Sequence, residues 1–214
     1  MKPIATALLL NWKRPENIVK TIASIRAQTA AIEIWLWNNN PDDKTAYDVD
    51  MQINSPRNFF CWPRWLMGSL TESEFIFTLD DDLMFADELV INDCIDFMRS
   101  DQFVTLIGYT GVTFQDKNKN YFGGKHVEAC DNYNTLVDVV KGRFMFLSTS
   151  AMHRISIENE PTCEDIKVSA AVGKGVLPAI ITNRLINLSE GDEALFAQPW
   201  QRERRQKAVE KYFR

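Results

Sequence analysis

The chain predicts an α/β fold: a single domain with a mostly parallel sheet flanked by helices, giving way after residue 100 to a more irregular, mixed half. Three observations lead there. Mainly apolar runs at residues 4–10, 32–37 and 75–79 have the look of buried strands. Between the first two runs the apolar residues recur at helical spacing, so strand, helix and strand follow one another as in a right-handed crossover between parallel strands. Beyond residue 100 the apolar runs are separated by long polar loops.

The elements follow in order. The first run ends at the charged turn Asn11-Trp12-Lys13-Arg14. It is short and lacks a small-residue cleavage pattern, so it reads as a first strand rather than a signal peptide, although Lys2 precedes it. Pro15 suits a first helical position, and Ile18, Val19, Ile22 and Ile25 then mark one face. The second run stops at Asn38-Asn39-Asn40-Pro41. After a polar loop, a short strand at 51–53 leads through Arg57 into the aromatic segment 59–70, whose Phe59, Phe60, Trp62 and Trp65 read as core rather than as rings for stacking. Residues 75–79 form the next buried strand, and 86–99 a helix bearing Leu89, Val90, Cys94, Ile95 and Phe97.

In the second half, strands are expected at 103–107, 136–140 and 143–147, with a polar loop at 115–134. A helix over 163–172 is closed by Gly173-Lys174-Gly175, glycine being the usual helix stop. Residues 176–182 are expected to be the last strand. The charged tail, 199–214, reads as a helix or as the lead into a further domain, with Arg202, Arg204 and Arg205 on a solvated face.

Composition narrows the class. With 45% hydrophobic and 25% charged residues the chain is that of an ordinary globular protein rather than a disordered one. A net charge of −5 argues against a nucleic-acid partner, which needs a surplus of Lys and Arg to displace counterions from phosphates. No segment is apolar for long enough to cross a bilayer. Cys61, Cys94, Cys130 and Cys163 show no metal-ligand spacing and are expected to be reduced, in keeping with a cytoplasmic protein; a Cys130–Cys163 bridge is the alternative.

Chemistry is expected where the strands end. In open parallel sheets, ligands bind at the carboxyl ends of the strands, and three polar clusters fall there: Asn11 to Arg14, Asn38 to Asn40, and Asp80, Asp81 and Asp82. Three adjacent carboxylates repel one another and lose hydration on burial, so something must compensate. A hard cation, Mg2+ or Mn2+, bound through oxygen is the candidate. Alternate residues of an extended segment share a side, which assigns Asp82 to the metal, Asp80 to ribose or a metal-bound water, and Asp81 to a donor-sugar contact or to structure. Helix capping is the plainer reading of these acids, though one acid would suffice for it. Glu164-Asp165 stands at a predicted helix start, where the dipole favours the ionised form and Asp165 can act as general base. Arg57 and Arg64 either meet a diphosphate or are solvated, and His126 reads as a solvated loop residue.

Taken in order, LLLNWKRPE, IWLWNNN, FTLDDDL and CEDIKVS resemble glycosyltransferases of the GT-A fold, most closely the exostosin-like group, over residues 4–190. The resemblance implies a metal-dependent transfer from a nucleotide sugar, usually a UDP sugar, to a glycan or glycoprotein acceptor. It implies that Arg14 and Asn38 lie in the nucleotide site, beside Asn11 and Arg57, that Asp80 and Asp82 are the metal-site acids, and that Asp165 faces the acceptor. On this basis residues 1–100 form the nucleotide-sugar half and 101–198 the acceptor half. The chain departs from many relatives in offering only His126 and His153, both before the CED segment, to complete a metal shell.

Two rivals are weaker. A haloacid-dehalogenase-type phosphatase has its nucleophilic Asp on the first strand, whereas Asp80 lies well inside this chain. A calcium-binding loop of the EF-hand kind needs a central Gly, which DDDLMFADE lacks.

Overall fold

The computed structural model describes residues 2–115, 119–157, 162–189 and 198–213. Its centre is β1 (Ala5–Asn11), with Ala5, Ala7, Leu8 and Leu9 fully buried. Parallel partners lie on both sides: β2 (Ile32–Asn38) and, beyond it, β3 (Met51–Asn54); on the other side β4 (Phe75–Leu79). β1 and β4 are buried along almost their whole length, which is why they are mainly apolar instead of alternating, whereas β3 at the edge is only half-buried. Thr6 is the exception inside β1, and its buried hydroxyl is satisfied by Thr71 (2.6 Å) and Ser73 (2.8 Å). The helix α1 (Pro15–Arg26) joins β1 to β2, with Pro15 in its first turn and Ile18, Ile22 and Ile25 buried, as the spacing predicts, whereas Val19, expected on the same face, is exposed.

Beyond β4 the sheet becomes mixed. The strand β11 (Phe144–Ser148) runs antiparallel to β4 and to β6 (Leu106–Gly108), and the sheet continues through β12 (Gly175–Leu177) to β9 (Thr135–Val137). Rings of Phe75 and Phe146 stack at 5.2 Å, and Phe77, Phe85 and Phe144 pack around them. A smaller antiparallel sheet joins β7 (Thr110–Thr113), β8 (Lys125–Glu128) and β10 (Val139–Val140). The remaining helices are α2 (Pro63–Gly68), α3 (Val90–Ser100), α4 (Glu164–Val172) and α5 (Gln201–Tyr212).

Several expectations need correction. Residues 83–85 are a strand, β5 (Leu83–Phe85), paired with β13 (Leu185–Asn187), so α3 begins at Val90 rather than at 86. Phe103 is 83% exposed and stands outside β6. The run 136–140 is two strands, because at Asp138 the chain leaves the large sheet for the small one; its carboxylate there accepts from Phe114 N at 2.8 Å. Gly108 and Gly175 permit that crossing, since a Cβ on either would come within 2.2 Å of Val140. The strand expected at 176–182 ends at Leu177, where Pro178 removes a donor, and β13 follows it. The loop 115–134 contains β8, whose exposed residues carry no periodic signal. All four cysteines are free, so no Cys130–Cys163 bridge forms. Among the described residues no helix is long and apolar enough to cross a membrane.

Candidate active site

The parallel strands β1, β2 and β4 deliver their carboxyl ends to one rim, above which lies a cavity of about 710 Å³. Asp80, Asp81 and Asp82 leave the end of β4 directly into it. Because β11 is antiparallel to β4, its preceding residues 141–143 reach the same rim, and Asp80 N donates to Arg143 O at 2.9 Å. The amino end of α4 faces the cavity from the other side with Glu164 and Asp165.

Each of the three consecutive acids meets an arginine from a different part of the chain. Arg14, at the start of α1, donates to Asp81 at 2.8 Å and to Asp82 at 3.4 Å. Arg143 donates to Asp82 at 3.3 Å. Arg64, buried in α2, donates to Asp80 at 2.8 Å through Nη1 and to Glu164 at 2.9 Å through Nη2. The arginines offset only part of the cost of gathering these acids. Burial, opposed by Arg14 and reinforced by Asp80, pushes Asp81 up to about 7. Burial also raises Asp80, with Asp82 adding to it against the pull of Arg64, and raises Glu164 despite the same guanidinium.

Asp165 is held differently. Its Oδ1 accepts from Ile166 N at 2.9 Å, and its Oδ2 from Gly142 N at 3.3 Å and from Arg205 at 2.6 Å. Arg205 also donates to the Tyr121 hydroxyl at 2.6 Å and lies 4.4 Å over that ring. Lys141 and His126 stand on the same wall, each held below its ordinary pKa, first by burial and then by neighbouring cations. Phe60 and Trp200 meet edge to face at 6.3 Å at the cavity.

The structure brings Arg14, Asp80, Asp81, Asp82 and Asp165 together on the cavity wall. It places Asn11 and Asn38 behind that wall, both fully buried. Asn11 donates to Asn38 at 3.1 Å and to Asp43 at 2.9 Å, and Asn38 donates to Asp43 O at 2.9 Å, a network that shapes the loop after β2. The neighbouring Asn39 lines the cavity instead. Arg57 is exposed and stacks on Phe59 at 4.6 Å, outside the cavity lining. Trp62 and Trp65 are core, as expected, whereas Phe59 and Phe60, expected there too, are only half-buried and Phe60 lines the cavity.

Sequence reasoning missed Glu164 as the partner of Arg64, and it left Arg143, Arg205, Tyr121 and Lys141 without a role in the site. One signal was available: Arg64 sits between Trp62 and Trp65, and a lone charge within a core segment requires a buried partner. Arg64 is therefore not solvated, nor does Arg205 belong to a solvated face; its side chain is only 15% exposed. His126 is exposed, as expected, but it stands in β8 rather than in a loop, its ring edge-on to Tyr121 at 5.4 Å.

Asp80 bonds Arg64 through Oδ1, and both Asp80 and Asp82 line the cavity. Among the described residues no three acidic, His or Cys side chains converge on one point. A hard cation placed on Asp80 and Asp82 would take the rest of its shell from ligand oxygens and water, and at Asp82 it would share the two oxygens with Arg14 and Arg143.

No protein-family model matches the sequence, and no curated protein matches it either. Solved structures do resemble its fold. Staphylococcus aureus TarS 1-349 in complex with UDP-GlcNAc superposes with a TM-score of 0.67 at 10% identity, covering 92% of this chain and 61% of that one. A further structure of TarS 1-349 gives 0.63 at 12% identity, covering 89% and 61%. The mannosyltransferase PcManGT from Pyrobaculum calidifontis, in complex with GDP-Man and Mn2+, gives 0.58 at 10% identity, covering 83% and 55%. The chain therefore spans less than two thirds of the length of these proteins. At such identities the likeness is one of fold: the α/β architecture with a mostly parallel sheet, expected from the sequence, is that of these glycosyltransferases.

Proposed function

We propose that this protein is a glycosyltransferase that moves a sugar from a nucleotide sugar, a UDP sugar, to a hydroxyl of a glycan or glycoprotein acceptor. One observation supports this above the others. Asp80 to Asp82 and Glu164-Asp165, far apart in the chain, face each other across one cavity at the carboxyl ends of the parallel strands. The fold is shared with proteins solved with UDP-GlcNAc and with GDP-Man and Mn2+. The order of its motifs resembles that of the exostosin-like group.

In this reading Asp82 and Asp80 hold Mn2+ or Mg2+, which when bound supplies positive charge to the departing diphosphate. Arg14 and Arg143, both on Asp82, stand where the diphosphate oxygens come to rest. Trp12, Asn39 and Asn58 are the cavity residues offered to the base and ribose, with Asn11 and Asn38 bracing the loop from behind. Asp81, bonded to Trp12 N and Arg14, sets the floor of the donor site. Asp165 takes the proton of the attacking acceptor hydroxyl in a single displacement at the anomeric carbon. Residues 1–100 serve the donor and 101–198 the acceptor, within one domain.

Calorimetry with UDP, GDP and their sugar conjugates, with and without Mn2+, tests the proposal. Metal-dependent binding of UDP is the expected result. Binding of Ca2+ alone, or release of phosphate from simple phosphomonoesters, would replace it with one of the rival readings.

A further inference from the structure

We infer that Arg205 is a latch on Asp165 that lets the site discriminate an acceptor hydroxyl from water. The inference rests on the reading of Asp165 as proton acceptor. Standing at the start of α4, Asp165 already receives the backbone N–H groups of Ile166 and Gly142. The helix start and these two backbone donors already hold the carboxylate in place, so the 2.6 Å contact from Arg205 is an addition that α4 does not itself require.

The contact is well built. Arg205 is bonded to the Tyr121 hydroxyl and rests on its ring. One turn further along α5, Ala208 and Val209 pack with Ile166 and Cys163 of the α4 region in a small apolar cluster, fixing the helix that carries the guanidinium. With Arg205 and Gly142 N on Oδ2, the two lone pairs of that oxygen are filled. The Asp165 side chain is 5% exposed, and Arg205 is what covers it on the cavity side.

Wasteful hydrolysis of a bound donor needs this same carboxylate. A water oxygen would bond to the anomeric carbon as the bond to the diphosphate oxygen breaks, the electron pair leaving with the nucleoside diphosphate and the water proton passing to Asp165. While Arg205 and Gly142 N occupy Oδ2, that oxygen offers water no lone pair. An acceptor sugar, by contrast, brings several hydroxyls and a ring face for Tyr121 and Phe122, enough contact to displace the guanidinium. Arg205 acts through Asp165 and is a positioning residue.

The test needs no acceptor. Release of UDP from UDP-glucose and UDP-GlcNAc, with Mn2+ and no acceptor, is compared between the native protein and Arg205→Met. Hydrolysis is expected to rise by roughly tenfold or more, the scale of one charge-assisted hydrogen bond, to stay near native in Arg205→Lys, and to vanish in Arg205→Met/Asp165→Asn. Tyr121→Phe, which removes one bond to Arg205 while leaving the sequence of α5 unchanged, is expected to raise it less and carries the test if Arg205→Met fails to melt cooperatively. Unchanged hydrolysis in both variants, with metal-dependent UDP binding intact, overturns the latch and leaves the transferase reading standing. Hydrolysis that survives Asp165→Asn also overturns it. A native protein that binds no UDP with Mn2+ overturns both readings.

Discussion

Arg64 donates to Asp80 at 2.8 Å from within α2, and the same guanidinium reaches Glu164 at 2.9 Å. A side chain that is 3% exposed thus ties the acids at the end of β4 to the first turn of α4, the two halves of the cavity. It does so as a planar fork, one nitrogen to each carboxylate, which a lysine ammonium cannot copy.

Replacing Arg64 by Met should therefore leave two buried carboxylates without their counterion. A loss of about 3–5 kcal/mol in unfolding free energy is expected, the usual cost of removing one partner of a buried pair. Chemical denaturation measures it. Arg64→Lys should recover part of the stability but little of the alignment, read as weaker Mn2+-dependent UDP binding.

The raised acids give a pH dependence whose sign can be worked out. Asp81 titrates near 7 in the folded protein against an ordinary 3.8, and Glu164 is shifted the same way by burial. Between about pH 4 and 7 the unfolded chain has released these protons and the native protein still holds them, so their contribution to stability falls as the pH rises through that window and levels off above it. His126, lowered by burial, opposes them with a single proton. Thermal melting of the metal-free protein from pH 5 to 8 should show the decline, and Asp81→Asn should flatten it.

Metal and nucleotide should reverse that trend, because a cation favours the ionised acids. UDP affinity in Mn2+ is expected to rise between pH 5.5 and 7.5 and to collapse with EDTA. Asp82→Ala should abolish metal-dependent UDP binding; calorimetry showing native affinity in that variant would remove Asp82 from the metal site.

Asp165→Asn separates chemistry from binding. Nucleotide affinity should remain within about twofold of native, since Asp165 is bonded to Ile166, Gly142 and Arg205 rather than to Asp80, Asp81 or Asp82, while transfer falls by roughly 10²–10⁴, the range for a lost general base. A large loss of UDP affinity instead would place Asp165 with the donor.

What could be read from the residues had a local physical cause. Mainly apolar runs marked β1, β2 and β4 as buried strands, and with them the rim that receives Asp80, Asp81 and Asp82. Pro15 and helical spacing marked α1, and the acid pair at a helix start marked Asp165. Elements of two or three residues, such as β10 and β13, were illegible, because pairing with a distant strand decides them and no period develops over such lengths.

Among the site residues the same division holds. Asn11 and Asn38 were recognised as polar residues at strand ends, but their direction was not readable, and both turn into the protein to brace the loop while Asn39 faces the cavity. The sequence by itself determined that three carboxylates would crowd the end of a buried strand and that a compensating charge was needed. Only the tertiary structure decided that Arg14, Arg64 and Arg143 supply part of it and that Arg205 covers Asp165. Such pairings join residues distant in sequence, and an arginine's partner is set by where the folded backbone carries it.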